Sequence, residues 1–264
     1  MHIIRIDDPA DPRVVPYLNI RERDLTGREG RFIAEGKVVL NVLFAARRFM
    51  AESVLVLENR LDGLAETLAC APEDMPVYVA STQVIDAVAG FHMHRGILAV
   101  GRRRLTEDAE TLLSALPARA LVMVLVGIAN HDNVGALFRN AAAFGVDAVL
   151  LDETSCDPLY RKAIRVSVGA ALKVPFARGE TGLDLVARLE SHGFSQLALS
   201  PSGASDILDI ERPDRLALHF GAEGPGLPDA IMDRIDTARI RMAPGFDSLN
   251  VAAASAITLH RFMG

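Results

Sequence analysis

The chain has 264 residues, half of them apolar and 23% charged, which is enough for two modest folded units and excludes a disordered ground state. A net charge of −6 argues against nonspecific coating of nucleic acid but does not say where positive charge collects. The longest apolar runs, 120–129 and 251–259, reach about half of the ~20 residues that span a bilayer. Met1–Arg13 shows no leader-type apolar run, and Cys70 and Cys156 have no partners at metal-site spacing. The expectation is a cytoplasmic protein with no membrane segment, no disulfide framework and no metal.

In chain order, helical periodicity through 36–50 is followed by strands expected at 53–57, 77–79 and 96–100, a small α/β unit. Residues 102–119, polar and closed by Pro117, read as a partly helical linker. Strands are expected at 121–126, 148–151, 196–199, 216–220 and 239–242. Helices are expected to begin near Val134, Leu159, Leu183 and Pro228, with a last one over 250–262. This alternation implies one α/β domain with a mainly parallel sheet over 120–264. The acidic stretch 147–157 reads as a surface loop.

Three segments carry chemistry. The first, Asn130 to Gly145, runs from an apolar strand through a loop into a helix. Asn133 is expected to cap that helix with its side-chain oxygen. Arg139 follows six residues later, and were both helical they would stand about 240° apart. The second is Gly221-Ala222-Glu223-Gly224-Pro225-Gly226-Leu227 at the end of an apolar strand. Its glycines let the backbone bend and approach a ligand. It lacks the Lys-Ser/Thr ending of a phosphate-binding loop and the spacing of a dinucleotide fingerprint, and the Glu223 carboxylate suits a cationic or neutral ligand. The third, Ile240 to Ser255, enters a Pro-Gly loop and then a helix, begun by Ser248 or Asn250, whose first turns are all small residues. Taken singly, each segment is also what a capped helix or a tight turn looks like.

Together and in this order, these segments resemble the three motifs of the SpoU (TrmH-like) family of RNA 2′-O-ribose methyltransferases, in the SPOUT superfamily. The residues concerned are Asn-x-Gly-x-x-x-Arg-x-Ala, Gly-Ala-Glu-Gly-x-Gly-Leu, and Ile-x-Met with Ser-Leu-Asn-Val-Ala-x-Ala. Arg165 to Ala170 resembles the family's Arg-x-Ser-x-Gly-Ala element. Phe32 to Gly36 and His94 to Ala99 resemble, less specifically, the substrate-binding domain often found N-terminal in this family.

The resemblance implies an RNA substrate-binding domain over 1–101, a linker over 102–119 and a methyltransferase domain over 120–264. The fold it implies for that last domain is a parallel α/β sheet with a deep trefoil knot, which periodicity would never propose. It implies S-adenosylmethionine contacted by Leu199, Ser200, Gly221, Ala222, Glu223, Gly224, Gly226, Ile240, Met242 and Leu249, with Pro201 a weaker candidate. It assigns the catalytic site to Asn133, Arg139, Glu223, Ser248 and Asn250, and implies a homodimer through the knotted domain. Its substrate would be ribosomal or transfer RNA.

Charge adds a candidate RNA surface. Residues 161–178 contain Arg161, Lys162, Arg165, Lys173 and Arg178 and no acid, a local excess facing phosphate. Residues 20–48 hold seven cations, Arg21, Arg23, Arg28, Arg31, Lys37, Arg47 and Arg48, against four acids, which a solvated helix face explains equally well. With no Trp and 3 Tyr, base stacking is not the expected mode of recognition. Two other functions stay open: a SpoU-like RNA-binding or ribosome-assembly protein without catalysis, and a nucleotide-dependent oxidoreductase. The intact catalytic set weighs against the first, and the missing Gly-x-Gly-x-x-Gly against the second.

Overall fold

The computed structural model describes residues 2–20, 30–104, 107–246 and 248–263. Its chain begins with β1 (His2–Ile6), β2 (Arg31–Glu35), α1 (Lys37–Ala45), β3 (Phe49–Leu57), α2 (Ala65–Leu68), β4 (Pro76–Ala80), α3 (Thr82–Ala89) and β5 (Ile97–Arg103). Next come α4 (Ala109–Ser114), β6 (Ala120–Val126), α5 (His131–Ala143), β7 (Ala148–Asp152), α6 (Arg161–Val166), α7 (Ala170–Lys173), β8 (Phe176–Glu180) and α8 (Gly182–Ser191). The last elements are β9 (Ser195–Leu199), β10 (Ser205–Asp206), β11 (Arg215–Gly221), α9 (Asp229–Met232), β12 (Asp236–Arg239) and α10 (Val251–Phe262).

The chain divides into two compact units. The first comprises 1–105 and 159–173. Its sheet has the order β1-β4-β3-β5-β2, parallel between β1, β4 and β3 and antiparallel where β5 meets β3 and β2. Tyr17, Ile33, Leu55, Ile85, Val88 and Leu98 meet in its core. β1 and β2 escape the sequence reading, because His2–Ile6 is exposed along most of its length and Arg31–Glu35 is a short run with charged ends.

The second unit comprises 106–158 and 174–264. Its sheet, in the order β10-β12-β9-β11-β6-β7-β8, is parallel throughout. Central strands of a parallel sheet are covered on both faces, which is why β6, Ala-Leu-Val-Met-Val-Leu-Val, is an unbroken buried run. Three sequence expectations change here. The strand expected over 239–242 lies earlier, at 236–239, where its polar residues hid it. The linker is not one: Arg102 and Arg103 end β5, and α4 sinks Ala109, Leu112 and Leu113 into the second unit's core. The division falls at 105/106, and 159–173 joins the first unit because Arg161 reaches Glu35 of β2 at 2.6 Å.

The third change is the stretch 147–157, expected as a surface loop. Asp152 and Ser155 are instead buried. Asp152 Oδ1 accepts from Gly127 N, Ser155 N and Ser155 Oγ, and the Ser155 hydroxyl accepts from Ile128 N. This network holds the turn between β6 and α5, and so aims α5. Among the described residues, no helix is long and apolar enough to cross a membrane.

His219 sits fully buried on β11. The Gln196 amide donates to Val186 O, so its Oε1 is left to accept at 3.0 Å from His219 Nε2, and Nδ1 is the unprotonated nitrogen. Burial drives the His219 pKa from 6.5 down to about 3. Its contribution is therefore complete above pH 6.5 and is lost as pH falls toward the folded value. Between pH 6.5 and 5 that amounts to about 2 kcal/mol. His219→Leu lowers the neutral-pH plateau by leaving Gln196 without its donor, but removes this slope. Urea melts at pH 7 and pH 5 check it: equal losses in wild type and variant refute the assignment.

Candidate active site

A cavity of about 420 Å3 opens in the second unit beyond the C-terminal ends of β9, β11 and β12, where parallel sheets place their ligands. Its volume lies in the range of small-molecule sites. All ten residues expected to hold a cofactor line it, from Leu199 and Ser200 through Gly221, Ala222, Glu223, Gly224 and Gly226 to Ile240, Met242 and Leu249. Ser248, Asn250 and the weaker candidate Pro201 join them. Phe220, Ala238, Val251 and Ala254 also line the cavity and were missed. Phe220 was legible as the residue before Gly221. Ala238 was not, since it arrives through its register opposite Leu199.

Local chemistry builds the walls. The Gly221–Gly226 segment doubles back, with Gly226 N donating to Ala222 O at 3.0 Å. A Cβ on Gly221 would stand 2.3 Å from Gly226 C and Leu227 N, so backbone fills the space that any other residue needs. Gly224 and Gly226, at φ 88° and 73°, take the left-handed turns. Across the cavity, 240–246 and 248–249 carry no helix or strand, and Ile240, Met242 and Leu249 offer apolar side chains.

The expected cap at Asn133 is corrected. Asn130 precedes α5 and accepts from Asp132 N with its side chain, so Asn133 lies inside the first turn and is buried. Its carbonyl oxygen accepts from Asn250 Nδ2 at 3.2 Å. The same Asn250 amide donates to Glu223 Oε1, and Asn250 Oδ1 caps α10 by accepting from Ala252 N at 2.9 Å. One side chain thus ties α5, the glycine turn and α10. About two turns beyond Asn133, the Asn140 amide donates to Ala252 O at 2.7 Å and Ser255 Oγ at 2.8 Å, clamping α5 against α10.

Of the expected catalytic residues, Asn133 and Arg139 do not line the cavity; Asn133 reaches it through Asn250, and Arg139 does not reach it. It lies on α5 about 240° around from Asn133, is exposed, and has no carboxylate partner among the described residues. Cys156, half-buried, has its thiol pushed up to about 11 by burial, which removes it as a nucleophile near neutral pH.

The expected RNA-binding set divides. Arg161 is turned inward, 14% exposed, onto Glu35, so its charge is already matched. Arg178, in the second unit, donates to Ser155 O and Glu153 O and braces the 153–155 turn. Lys162 and Lys173 are exposed and Arg165 is half-buried. Of the 20–48 cluster, Arg21, Arg23 and Arg28 fall outside the described residues, and Arg31 pairs with Glu52 at 2.7 Å. His92 and His94 precede β5, where His92 Nδ1 meets Asp86 Oδ2 at 2.6 Å.

Comparison with known proteins follows this geometry. Residues 120–260 match the SpoU rRNA Methylase family. A relative from Mycobacterium bovis, an uncharacterized tRNA/rRNA methyltransferase, is 38% identical over 263 residues, covering 96% of this chain and 89% of its own. The 23S rRNA (guanosine-2′-O-)-methyltransferase RlmB of Salmonella typhimurium is 30% identical, covering 81% of this chain and 90% of its own. An AdoMet-bound rRNA methyltransferase from Sinorhizobium meliloti shares the fold with a TM-score of 0.81, at 21% identity, covering 98% of this chain and 97% of its own.

Gly221→Ala is expected to destabilise the second unit by about 1–3 kcal/mol, since both clashing atoms are backbone and cannot rotate away. A urea midpoint indistinguishable from wild type would show that the glycine turn is looser than drawn.

Proposed function

The protein belongs to the SpoU rRNA methylase family, and from that premise we propose that it methylates a ribose 2′-hydroxyl in ribosomal or transfer RNA. The cofactor is S-adenosylmethionine, which supplies an electrophilic methyl group on a sulfonium. The cavity suits such a molecule on its own terms. Ile240, Met242 and Leu249 would wall an adenine ring, the bare backbone of 221–226 admits close main-chain contact, and Glu223 would face positive charge. The observation that carries the reading is that Glu223 and Asn250, both lining this cavity, are hydrogen-bonded to each other, with Asn133 bonded to Asn250 behind them.

The chain's residues then have separable tasks. The reaction is an in-line displacement, so alignment of the hydroxyl supplies much of the acceleration. Asn250 and Glu223, held by each other, orient the ribose together with Ser248. A guanidinium is a donor without an acceptor, so Arg139 serves as a binder of the phosphate next to the target ribose, polarising the 2′-hydroxyl. The proton leaves to phosphate or solvent.

Within one chain Arg139 lies outside the cavity, and we assign it to the cavity of a second protomer in a homodimer. The exposed apolar side chains Leu208, Ile257 and Met263 supply apolar area for such pairing. The reading includes a knotted C-terminal path for the second unit and RNA substrate binding by the first.

Arg139→Ala is expected to lower methyl transfer to RNA by at least about 100-fold while S-adenosylmethionine binding, followed by calorimetry, stays at wild-type strength. Loss of cofactor binding instead would overturn the role given to Arg139. Mixing Arg139→Ala and Asn250→Ala protomers tests the shared site, because heterodimers carry one intact site in two and an equal mixture recovers about a quarter of wild-type activity. No recovery places Arg139 and Asn250 in the same protomer's site.

A further inference from the structure

A second cavity, of about 560 Å3, lies in the first unit and is assembled from four separate stretches: 35–39 leading into α1, 60–64, 94–97 before β5, and 165–168 at the end of α6. Lys37, Arg60, Arg95 and Arg165 converge on it against one carboxylate, Glu35. That carboxylate is already spent. Glu35, 7% exposed, accepts from Arg161 NH1 at 2.6 Å, and Arg95 Nε stands off at 4.0 Å from its other oxygen. Arg60 and Arg165 have no ion pair among the described residues. Lys37 is steadied at the rim by Gly63 O at 2.8 Å, which uses one of its three donors.

Four cations gathered around one hollow without carboxylates to match them repel one another, and an anion removes that cost. The backbone points the same way. Gly36, at φ 95°, starts α1 with no side-chain cap, so the first turn's N–H groups add their partial positive charge. A Cβ there would meet Arg95 Cδ and NH1 at 3.4 Å, so the bare glycine lies directly under that guanidinium. Three of the four cations are Arg, whose fork matches phosphate oxygens two at a time. The lining contains no Phe, Tyr or Trp, and its one ring is the His94 imidazole, so it offers a base little to stack on, whereas a backbone phosphate needs no ring.

Resting on the reading of the chain as an RNA methyltransferase, we infer that this cavity binds a backbone phosphate of the RNA substrate. Arg60, Arg95 and Arg165 hold the phosphate and Lys37 guards the rim. Glu35 and Arg161 are positioning residues: their ion pair anchors α6, and with it Arg165, to β2.

The test uses the full chain, a fluorescein-labelled 12-nucleotide single-stranded RNA of mixed sequence, and anisotropy titrations between 50 and 200 mM KCl. R60Q/R95Q/R165Q is expected to bind on the order of tenfold more weakly, with a log–log salt dependence shallower by about 0.7 or more. R60K/R95K/R165K, which keeps the charges, is expected to retain most of the affinity. S-adenosylmethionine affinity, measured by calorimetry, stays the same in all three proteins, which separates this site from the cofactor cavity and shows that the variants are folded. Wild-type RNA affinity and salt slope in the Gln variant overturn the proposal. If inorganic phosphate then binds wild type but not that variant, the cavity is a small-anion site and the RNA assignment is wrong. Failure of the wild type to bind S-adenosylmethionine would sink the methyltransferase reading instead, leaving the salt slope to be judged alone.

Discussion

The candidate active site hangs on one carboxamide. Asn250 gives its two N–H groups to Asn133 and Glu223 and its oxygen to the first turn of α10, so each of its three side-chain bonds fixes a different element. The three bonds join the first turn of α5, the glycine turn after β11 and the start of α10, which come from positions 117 and 27 residues away in the chain. Asn140 repeats the clamp farther along the same two helices. These bonds hold the three segments together because each of these polar groups is satisfied only in the assembled geometry.

Behind that junction, the parallel sheet supplies a floor. The strands end together at the cavity, and the side chains that would crowd it are absent where the backbone itself comes closest: Gly221 meets Gly226 and Leu227, and Gly203 meets Ala238 and Arg239. Recognition by backbone needs few distinctive side chains. The acidic Glu223 is the exception, and it is held by Asn250 rather than left to wander.

Charge is distributed with the same economy. A net −6 coexists with local cationic hollows because position, not the sum, sets the potential that a phosphate meets. Several cations are already committed within the fold: Arg161 to Glu35, Arg178 to two carbonyls, Arg239 to Gly203 O and Ala204 O. Arg139 on α5 and Arg60 and Arg165 around the first unit's cavity have no ion pair among the described residues and are available to a polyanion.

The linear order of residues determined β6, β7, β9 and β11 of the second unit, since an unbroken run such as 120–126 can only be stable with both faces covered, but it missed β8 and β10 and misplaced β12. Its glycines at 221, 224 and 226 and its Ser-Leu-Asn corner marked a tight turn and a helix start locally, and only the resemblance to a family grouped them as the residues that line one cavity. Local spacing misassigned the cap, since Asn130 and Asn133 are chemically alike and only the path of the chain decides which one leaves the helix. Tertiary structure alone decided that Ala238 faces Leu199, that 159–173 packs with the first unit, and that Arg161 is neutralised while Arg165 is not. Those outcomes depend on partners more than a hundred residues away or on strand register, and neither leaves a trace in local spacing.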